Sequence, residues 1–418
     1  MPATFVIAGA NLAGGTAAAT LRSEGFDGRL VLIGEEPVAP YERPPLSKEF
    51  LRGEAPFERA LIRPADFWEA KEVECRLGTR VTRIDSGARE AILGDGDVVR
   101  YDKLLIATGL RNRRLGVPGA HLDGVRSLRT VADAEAIRAE MAGATKAVIV
   151  GMGFIGAEVA ASLRLSGLEV EVIEPLPAPC YRALGPQIGS VVAAIHADHG
   201  VRMHFGESVD ALEGAGRVER VVTGSGTRID CDFVVVGVGT VPVTDLLDGV
   251  GVPLDNGVVV DEFCRAGPRG RDHMPQGDPD LGIYAAGDVA NHFHPLVGHH
   301  VRVEHWQNAM KQGAAAARSM LGASECYDEV HWFWSDQFDA NIQAAGHVSS
   351  WDDPVIRGDI EARSFAAFYL QEGRITAAIA INRGRDLRRC LALIKARAVV
   401  DPVLLADPDT DVRAAATT

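Results

Sequence analysis

Residues 146–158 read Lys146-Ala147-Val148-Ile149-Val150-Gly151-Met152-Gly153-Phe154-Ile155-Gly156-Ala157-Glu158. A short apolar, β-branched run enters three glycines spaced G-x-G-x-x-G, and a helix-forming stretch leaves them. The pattern predicts a buried strand from Lys146 to Val150, a turn from Gly151 to Gly156 and a helix from Ala157 to Ser166. A further strand, Val170 to Glu174, completes a strand–helix–strand unit suited to a parallel sheet. Such a turn lets backbone approach a pyrophosphate, while the helix N-terminus offers unpaired N–H groups and a positive dipole end. Glu174 stands 23 residues after Gly151, at the end of the second strand. A carboxylate there binds a ribose 2′-hydroxyl and repels a 2′-phosphate, which favours NADH over NADPH.

The same pattern opens the chain. Thr4 to Ala8 reads as a strand, Gly9 to Gly15 as a turn, Ala17 to Arg22 as a helix ended by Gly25, and Arg29 to Ile33 as a strand. The turn Gly9-Ala10-Asn11-Leu12-Ala13-Gly14 carries Asn11 in place of the middle glycine, and asparagine tolerates left-handed backbone better than most residues. Glu35, 26 residues after Gly9, is placed to accept hydrogen bonds from a ribose diol. Two more apolar runs end in glycine, Lys103 to Gly109 and Asp232 to Gly239, each downstream of one unit. The repetition predicts an α/β chain with two Rossmann-like dinucleotide-binding domains. The texture changes near residue 326: Val330 to Phe338 is aromatic-rich, and Phe365 to Gln371 and Ile375 to Asn382 read as antiparallel strands around a Glu372-Gly373 turn. We therefore expect a discontinuous first domain (1–112 and 240–325), a second domain (113–239) and a C-terminal α+β domain (326–418). Residues 266–279 read as a surface excursion, and the tail after Leu405 as a mobile segment.

Composition narrows the function. The 418 residues include 43 Lys+Arg against 57 Asp+Glu, a net charge of −14, which disfavours nucleic acid and anionic membranes. The 45 glycines exceed the roughly 29 of average usage. The six cysteines, at 75, 180, 231, 264, 326 and 390, form no C-x-x-C pair and fit no zinc, cluster or disulfide framework. Buried thiols in a reducing cytosol are expected. No basic leader precedes the first strand and no apolar run approaches the roughly 18 residues of a membrane span, so the expected location is cytoplasmic. Histidines 292, 294, 299, 300 and 305 cluster without cysteines or a clear carboxylate set. They read as facing a cofactor or partner, and no metal is expected.

A strand running into Gly287-Asp288, Ile283-Tyr284-Ala285-Ala286-Gly287-Asp288, resembles the corresponding string of the two-dinucleotide flavoprotein disulfide reductases, a glutathione reductase-like fold. The resemblance implies that Asp288 binds the flavin ribityl chain, that the first turn holds FAD and that the second holds NADH. Pro40-Tyr41-Glu42-Arg43-Pro44-Pro45-Leu46-Ser47-Lys48 narrows it further, with Val301-Arg302-Val303-Glu304 before Trp306 and Trp332-Phe333-Trp334-Ser335-Asp336-Gln337. Together these strings resemble NADH-dependent ferredoxin reductases of bacterial cytochrome P-450 and ring-dioxygenase systems, over nearly the whole chain.

Roles follow from that resemblance. Lys48 would lie near flavin N5, paired with Glu158, and Phe154 would be an aromatic gate over the isoalloxazine. Trp306 and Trp334 would line the flavin and its exit edge. Arg43 suits a pyrophosphate clamp through its planar fork. A helix from Trp306 to Met320 would point its N-terminus at the flavin and favour negative charge there. The expected cofactor set is completed by Ala13, Pro45, Thr108 and Gly109. Ile155 and Gly239 join it at the second turn, and Glu304 and His305 before the Trp306 helix.

Without a cysteine pair, electrons cannot leave through a dithiol. The resemblance implies a one-electron acceptor, a [2Fe-2S] ferredoxin. Such carriers are acidic, so docking on this acidic chain requires a local basic patch. Arg383, Arg385, Arg388, Arg389, Lys395 and Arg397 offer one, and Lys311 is another candidate. Two alternatives stay open: an NADH oxidase or quinone reductase of the same architecture, and a redox-sensing interaction protein of the apoptosis-inducing-factor type.

Overall fold

The computed structural model describes residues 2–267, 281–348 and 351–417. The chain forms two compact units: residues 1–42, 57–111 and 241–331 make the first, and residues 43–56, 112–240 and 332–418 the second.

The first unit is built on a five-stranded parallel sheet in the order Ile283–Ala285, Lys103–Ile106, Thr4–Ala8, Arg29–Gly34, Val73–Leu77. The alternation of strand side chains divides the core in two. Phe5 and Ile7 pack with helix Leu12–Ser23 and helix Trp306–Met320. Val6 and Ala8 pack on the opposite side with the antiparallel strands Val81–Asp85, Glu90–Leu93 and Val98–Arg100. A three-stranded sheet, Val258–Val260, Ala290–His294 and His299–Arg302, belongs to the same unit.

The second unit repeats the plan. Its parallel sheet runs Arg202–Phe205, Glu169–Glu174, Lys146–Val150, Phe233–Val236, Val125–Ser127. The antiparallel strands Val209–Glu213, Arg220–Thr223 and Arg228–Asp230 cover one face. Helix Phe154–Leu165 packs against strands Lys146–Val150 and Glu169–Glu174. The repeat differs at one edge: the strand there comes from late in the chain in the first unit (Ile283–Ala285) and from before the glycine turn in the second (Val125–Ser127).

The same unit contains a five-stranded antiparallel sheet, Trp332–Gln337, Ala340–Gly346, Arg374–Ile381, Ser364–Gln371, Val355–Asp359. Helix Gly384–Ala396 packs on it.

Several expectations change. Both glycine-turn helices begin earlier than expected, at Leu12 and Phe154, so Gly14 and Gly156 lie inside their first turns. The strands expected to run to Gly109 and Gly239 end at Ile106 and Val236, and glycine-containing turns follow. Residues 43–56, expected in the first domain, group with 112–240, because Ser47 and Lys48 bond to Glu158 and Ser162 bonds to the Ser47 carbonyl. Residues 326–331 group with the first unit, not with the C-terminal sheet. The tail is anchored rather than loose. The guanidinium of Arg357, 2% exposed, donates to the carbonyls of Leu405, Asp407, Pro408 and Thr410, and Val412 and Ala415 are buried. Ala266 is buried and bridges Val260, so the 266–279 segment does not start at the surface; residues 268–279 of it lie outside the described residues.

Candidate functional site

In the first unit, Gly9 has φ +121°, and a Cβ there would collide with the Ala107 carbonyl. Its N–H donates to the Ile33 carbonyl at 2.8 Å. A Cβ on Gly14 would strike the Gly9 carbonyl, so the helix can sit this close to the strand end only with glycine. Asn11 departs from the expected left-handed backbone: φ is −103° and ψ −165°, an extended conformation open to any residue. Its side-chain amide turns back and donates to the Ala107 carbonyl at 2.6 Å.

Gly151 and Gly156 reproduce these contacts in the second unit. Gly151 has φ +94°, and its Cβ would meet the Gly237 carbonyl; a Cβ on Gly156 would meet the Gly151 carbonyl. Gly151 N–H donates to Ile173 at 2.8 Å. Gly153 is extended, and a Cβ on it would meet nothing within 4 Å, so open space rather than backbone strain distinguishes this position.

The two helix N-termini share a further property. Neither helix has a side-chain cap or an acidic residue in its first turn. Helix Val131–Met141, by contrast, is closed by a full capping box between Thr130 and Asp133. The amides that a cap would satisfy are left for an anion at the two glycine turns.

The acids at the strand ends differ. Glu35 is exposed, with Arg80 at 3.7 Å. Glu174 is buried, and its carboxylate accepts from Met152 N–H at 2.6 Å and Leu176 N–H at 2.9 Å, which ties the glycine turn to the second strand. Each carboxylate oxygen keeps capacity for another donor.

Around the first turn, Gly287 has φ +78°, and a Cβ on it would crowd Ala13; its N–H donates to Gln312 Oε1 at 2.9 Å. Arg302 bonds the Asp288 carbonyl at 3.2 Å and the Glu304 carboxylate at 2.8 Å, which brings 288, 302 and 304 together. Thr108 donates to the Val243 carbonyl at 2.7 Å, and Gly109 follows at φ +66°. His305 is the N-cap residue of helix Trp306–Met320, and burial lowers its pKa to about 4. The Trp306 side chain lies against the Glu42 carboxylate, whose pKa burial raises.

In the second unit, Lys48 Nζ lies 2.8 Å from Glu158 Oε2, with the two side chains 11% and 5% exposed. Ser47 also donates to Glu158 Oε2, and Ser335 donates to Oε1 at 2.6 Å. Gln337 Nε2 donates to Ser335 Oγ at 3.0 Å, so Gln337 Oε1 accepts from His196 Nε2 at 2.9 Å. Burial lowers the His196 pKa to about 4. A connected polar chain thus runs from His196 to Lys48 and holds Glu158 with three donors. Ser335, Gln337 and His196 were not read as functional. Ser335 and Gln337 stood inside a quoted string; His196 carried no sequence signal.

Other candidate residues have the following partners. Arg43 starts the 3-10 turn Pro44–Ser47, which holds Pro45, and its guanidinium donates to the Arg129 carbonyl. Phe154 is the first helical residue and packs edge-on against Phe333, with ring centroids 4.8 Å apart. Trp334 lies on the opposite face of its strand and stacks on Trp332 at 5.6 Å, so Phe333 is the aromatic beside Phe154. Ile155 is exposed, and Gly239 has φ +93°. Histidines 292 and 294 do not face a partner. They are buried with His331, while His299 is exposed. None of the six cysteines is paired; burial pushes Cys231 and Cys390 up to about 12, and Cys180 and Cys264 higher. Among the described residues no helix is long and apolar enough to cross a membrane.

Two parallel sheets, each with a glycine turn running into an uncapped helix, are the architecture of a two-dinucleotide oxidoreductase. The chain belongs to the pyridine nucleotide-disulphide oxidoreductase family, whose model matches residues 3–313, and a reductase C-terminal model matches residues 332–416. It is 38% identical to rhodocoxin reductase of Rhodococcus erythropolis over 413 residues, 99% of this chain and 94% of that protein. It is 40% identical to the anthranilate 1,2-dioxygenase system ferredoxin–NAD(+) reductase component of Burkholderia cepacia, covering 97% of each. Its structure is similar to that of a covalent putidaredoxin reductase–putidaredoxin complex, with a TM-score of 0.92 and 31% identity over 98% of this chain and 97% of that chain.

Proposed function

We propose that the chain is an FAD-dependent ferredoxin–NAD(+) reductase, which takes hydride from NADH and delivers single electrons to a [2Fe-2S] ferredoxin feeding an oxygenase. The carrying observation is a disulphide-oxidoreductase fold with no cysteine pair, in a chain similar along nearly its full length to ferredoxin reductases. The covalent complex of a similar reductase with its ferredoxin supports the same class of partner.

The residues fit both cofactors. The Gly9–Gly14 turn and its uncapped helix suit the FAD pyrophosphate, and Glu35 the adenosine ribose. Gly287, Asp288, Glu304, His305 and Trp306 lie in the same unit and suit the rest of FAD. The Gly151–Gly156 turn suits the NADH pyrophosphate, with Glu174 accepting from the ribose and disfavouring a 2′-phosphate. On this reading the FAD part spans 1–112 and 240–325, with the 43–56 excursion carried by the other unit. The NADH part spans 113–239, and 326–418 forms the C-terminal part.

FAD held by these residues would supply the two-electron to one-electron conversion between a dihydronicotinamide and a one-electron carrier. The protein's work is orientation. Glu158 holds the Lys48 ammonium in place. Ser47 and Ser335 hold Glu158 in turn, so three donors fix its carboxylate in a largely dry site. No protein acid or base is needed for hydride transfer.

Steady-state turnover with each donor and acceptor tests this. We expect NADH to exceed NADPH by at least about tenfold in kcat/KM, a difference of about 1.4 kcal/mol. We also expect ferredoxin to outpace oxygen and quinones. Equal turnover with oxygen or a quinone in the absence of ferredoxin would contradict the proposal.

A further inference from the structure

His292 and His294 lie two residues apart on strand Ala290–His294, so they project from the same face. His331 closes on them from the end of the segment that follows helix Trp306–Met320. All three are buried, at 0%, 1% and 7% exposure. One ring nitrogen from each lies within 4.8 Å of the other two. The rings of His294 and His331 are centred 4.6 Å apart, and that of His292 is 5.5 Å from that of His331.

We propose that His292, His294 and His331 form a binding site for one divalent transition-metal ion, with zinc the ion their chemistry suits best. Three neutral imidazoles are a known complement for zinc, with a fourth position left for water. Zinc–nitrogen bonds of about 2.0–2.1 Å set tetrahedral nitrogens about 3.4 Å apart. The present nitrogens lie within 4.8 Å of one another, so binding would draw the three rings closer together.

Two observations support a ligand rather than packing alone. His294 Nε2 is 2.9 Å from the Glu329 carbonyl oxygen. A carbonyl only accepts, so Nε2 carries the hydrogen and Nδ1 presents its lone pair. Orientation of one ring nitrogen by a backbone carbonyl is the usual second-shell arrangement of a metal-binding histidine. His292, fully buried, makes no well-aligned hydrogen bond from either ring nitrogen, although the Val301 backbone faces the ring. A buried imidazole without such a bond is costly, and a metal ion would use its lone pair. The site would tie the segment ending at His331 to the sheet that carries Ala290–His294.

The test uses the FAD-loaded protein after chelator treatment and dialysis. Cobalt(II) is titrated in while its ligand-field absorption is followed, and zinc is then added as competitor. We expect one cobalt per chain, displaced by zinc. We expect His331→Gln to weaken binding by more than about 100-fold, beyond the effect of losing a second-shell partner, with FAD content unchanged. Zinc should raise the melting temperature of the wild type but not of the variant. Should the variant fail to fold, zinc-edge X-ray absorption on the wild type decides, with three imidazole ligands expected. No saturable binding, binding that His331→Gln retains, or fewer than three imidazoles at the zinc would overturn the proposal.

Discussion

Glu158 shows how one residue takes its role from its surroundings. Its position in the sequence marks a helix that follows a glycine turn, and only the family resemblance pairs it with Lys48. In the fold it receives Ser47 and Lys48 from one segment and Ser335 from a strand 177 residues further on. Hydrogen bonds to charged groups are worth about 1.5–3 kcal/mol. We expect Ser335→Ala to slow anaerobic flavin bleaching by NADH about tenfold, a barrier change of about 1.4 kcal/mol, with FAD content unchanged. Glu158→Gln should slow it more, because Lys48 then loses its counter-charge. Stopped-flow absorbance measures both, and wild-type rates in the two variants would show that the pair does not position the reacting groups. The glycines were legible because their backbone requirement is local: Gly9 and Gly151 stand at φ +121° and +94° in the two turns. Ser335 and Gln337 were visible as letters in a string but not as partners of Glu158, because that contact depends on how a distant sheet packs. Asn11 was seen as a departure from the pattern, but its accommodation through a side-chain bond to Ala107 was not foreseeable from backbone preference.

At the scale of elements, local period was legible and long-range anchoring was not. The Trp306–Met320 helix and the Thr4–Ala8 and Lys146–Val150 strands match their expected limits because pattern and breakers agree. The tail had no periodicity, yet Arg357 holds it. A buried guanidinium bonding four carbonyls is a tertiary arrangement with no local signature. Arg357→Met should cost about 3–5 kcal/mol, since it removes one of the two guanidiniums on buried Asp386 and leaves those carbonyls without their donor. Thermal melting and early proteolysis in residues 402–417 measure the effect, and an unchanged melting temperature would contradict it. Helix Tyr181–Asp198 gives a pH prediction through His196. Its pKa is about 4 in the folded protein, against about 6.5 when unfolded. The unfolded chain therefore takes up the proton first. The stability contributed by the neutral ring is fully present above about pH 6.5 and is lost as pH falls toward 4. At pH 5 the loss is about 2 kcal/mol. Denaturant unfolding at pH 7 and pH 5 should show that extra loss in the wild type and not in His196→Gln; equal losses would contradict it.

At the scale of the whole molecule, a net charge of −14 opposes an acidic partner, so docking must rest on a local exception. On helix Gly384–Ala396 the exposed Arg385, Arg388 and Lys395 share one face, while Arg383 and Arg389 are drawn to Asp386 and Asp411. The basic stretch was legible in the sequence, but which of its charges face solvent was not. Arg385→Glu with Arg388→Glu should raise the KM for ferredoxin about tenfold at low salt, with the difference shrinking as salt screens it. The rate of flavin bleaching by NADH should not change. A KM insensitive to both substitutions would put the docking surface elsewhere.

The most direct measurement mixes the FAD-loaded protein anaerobically with NADH, follows flavin absorbance, and then adds an oxidised [2Fe-2S] ferredoxin from the same source. Fast bleaching, followed by fast flavin reoxidation matched by ferredoxin reduction, is the expected result. Bleaching that only oxygen or a quinone reverses would contradict the ferredoxin reductase assignment, and no bleaching by NADH would contradict the role given to the Gly151–Gly156 turn and Glu174.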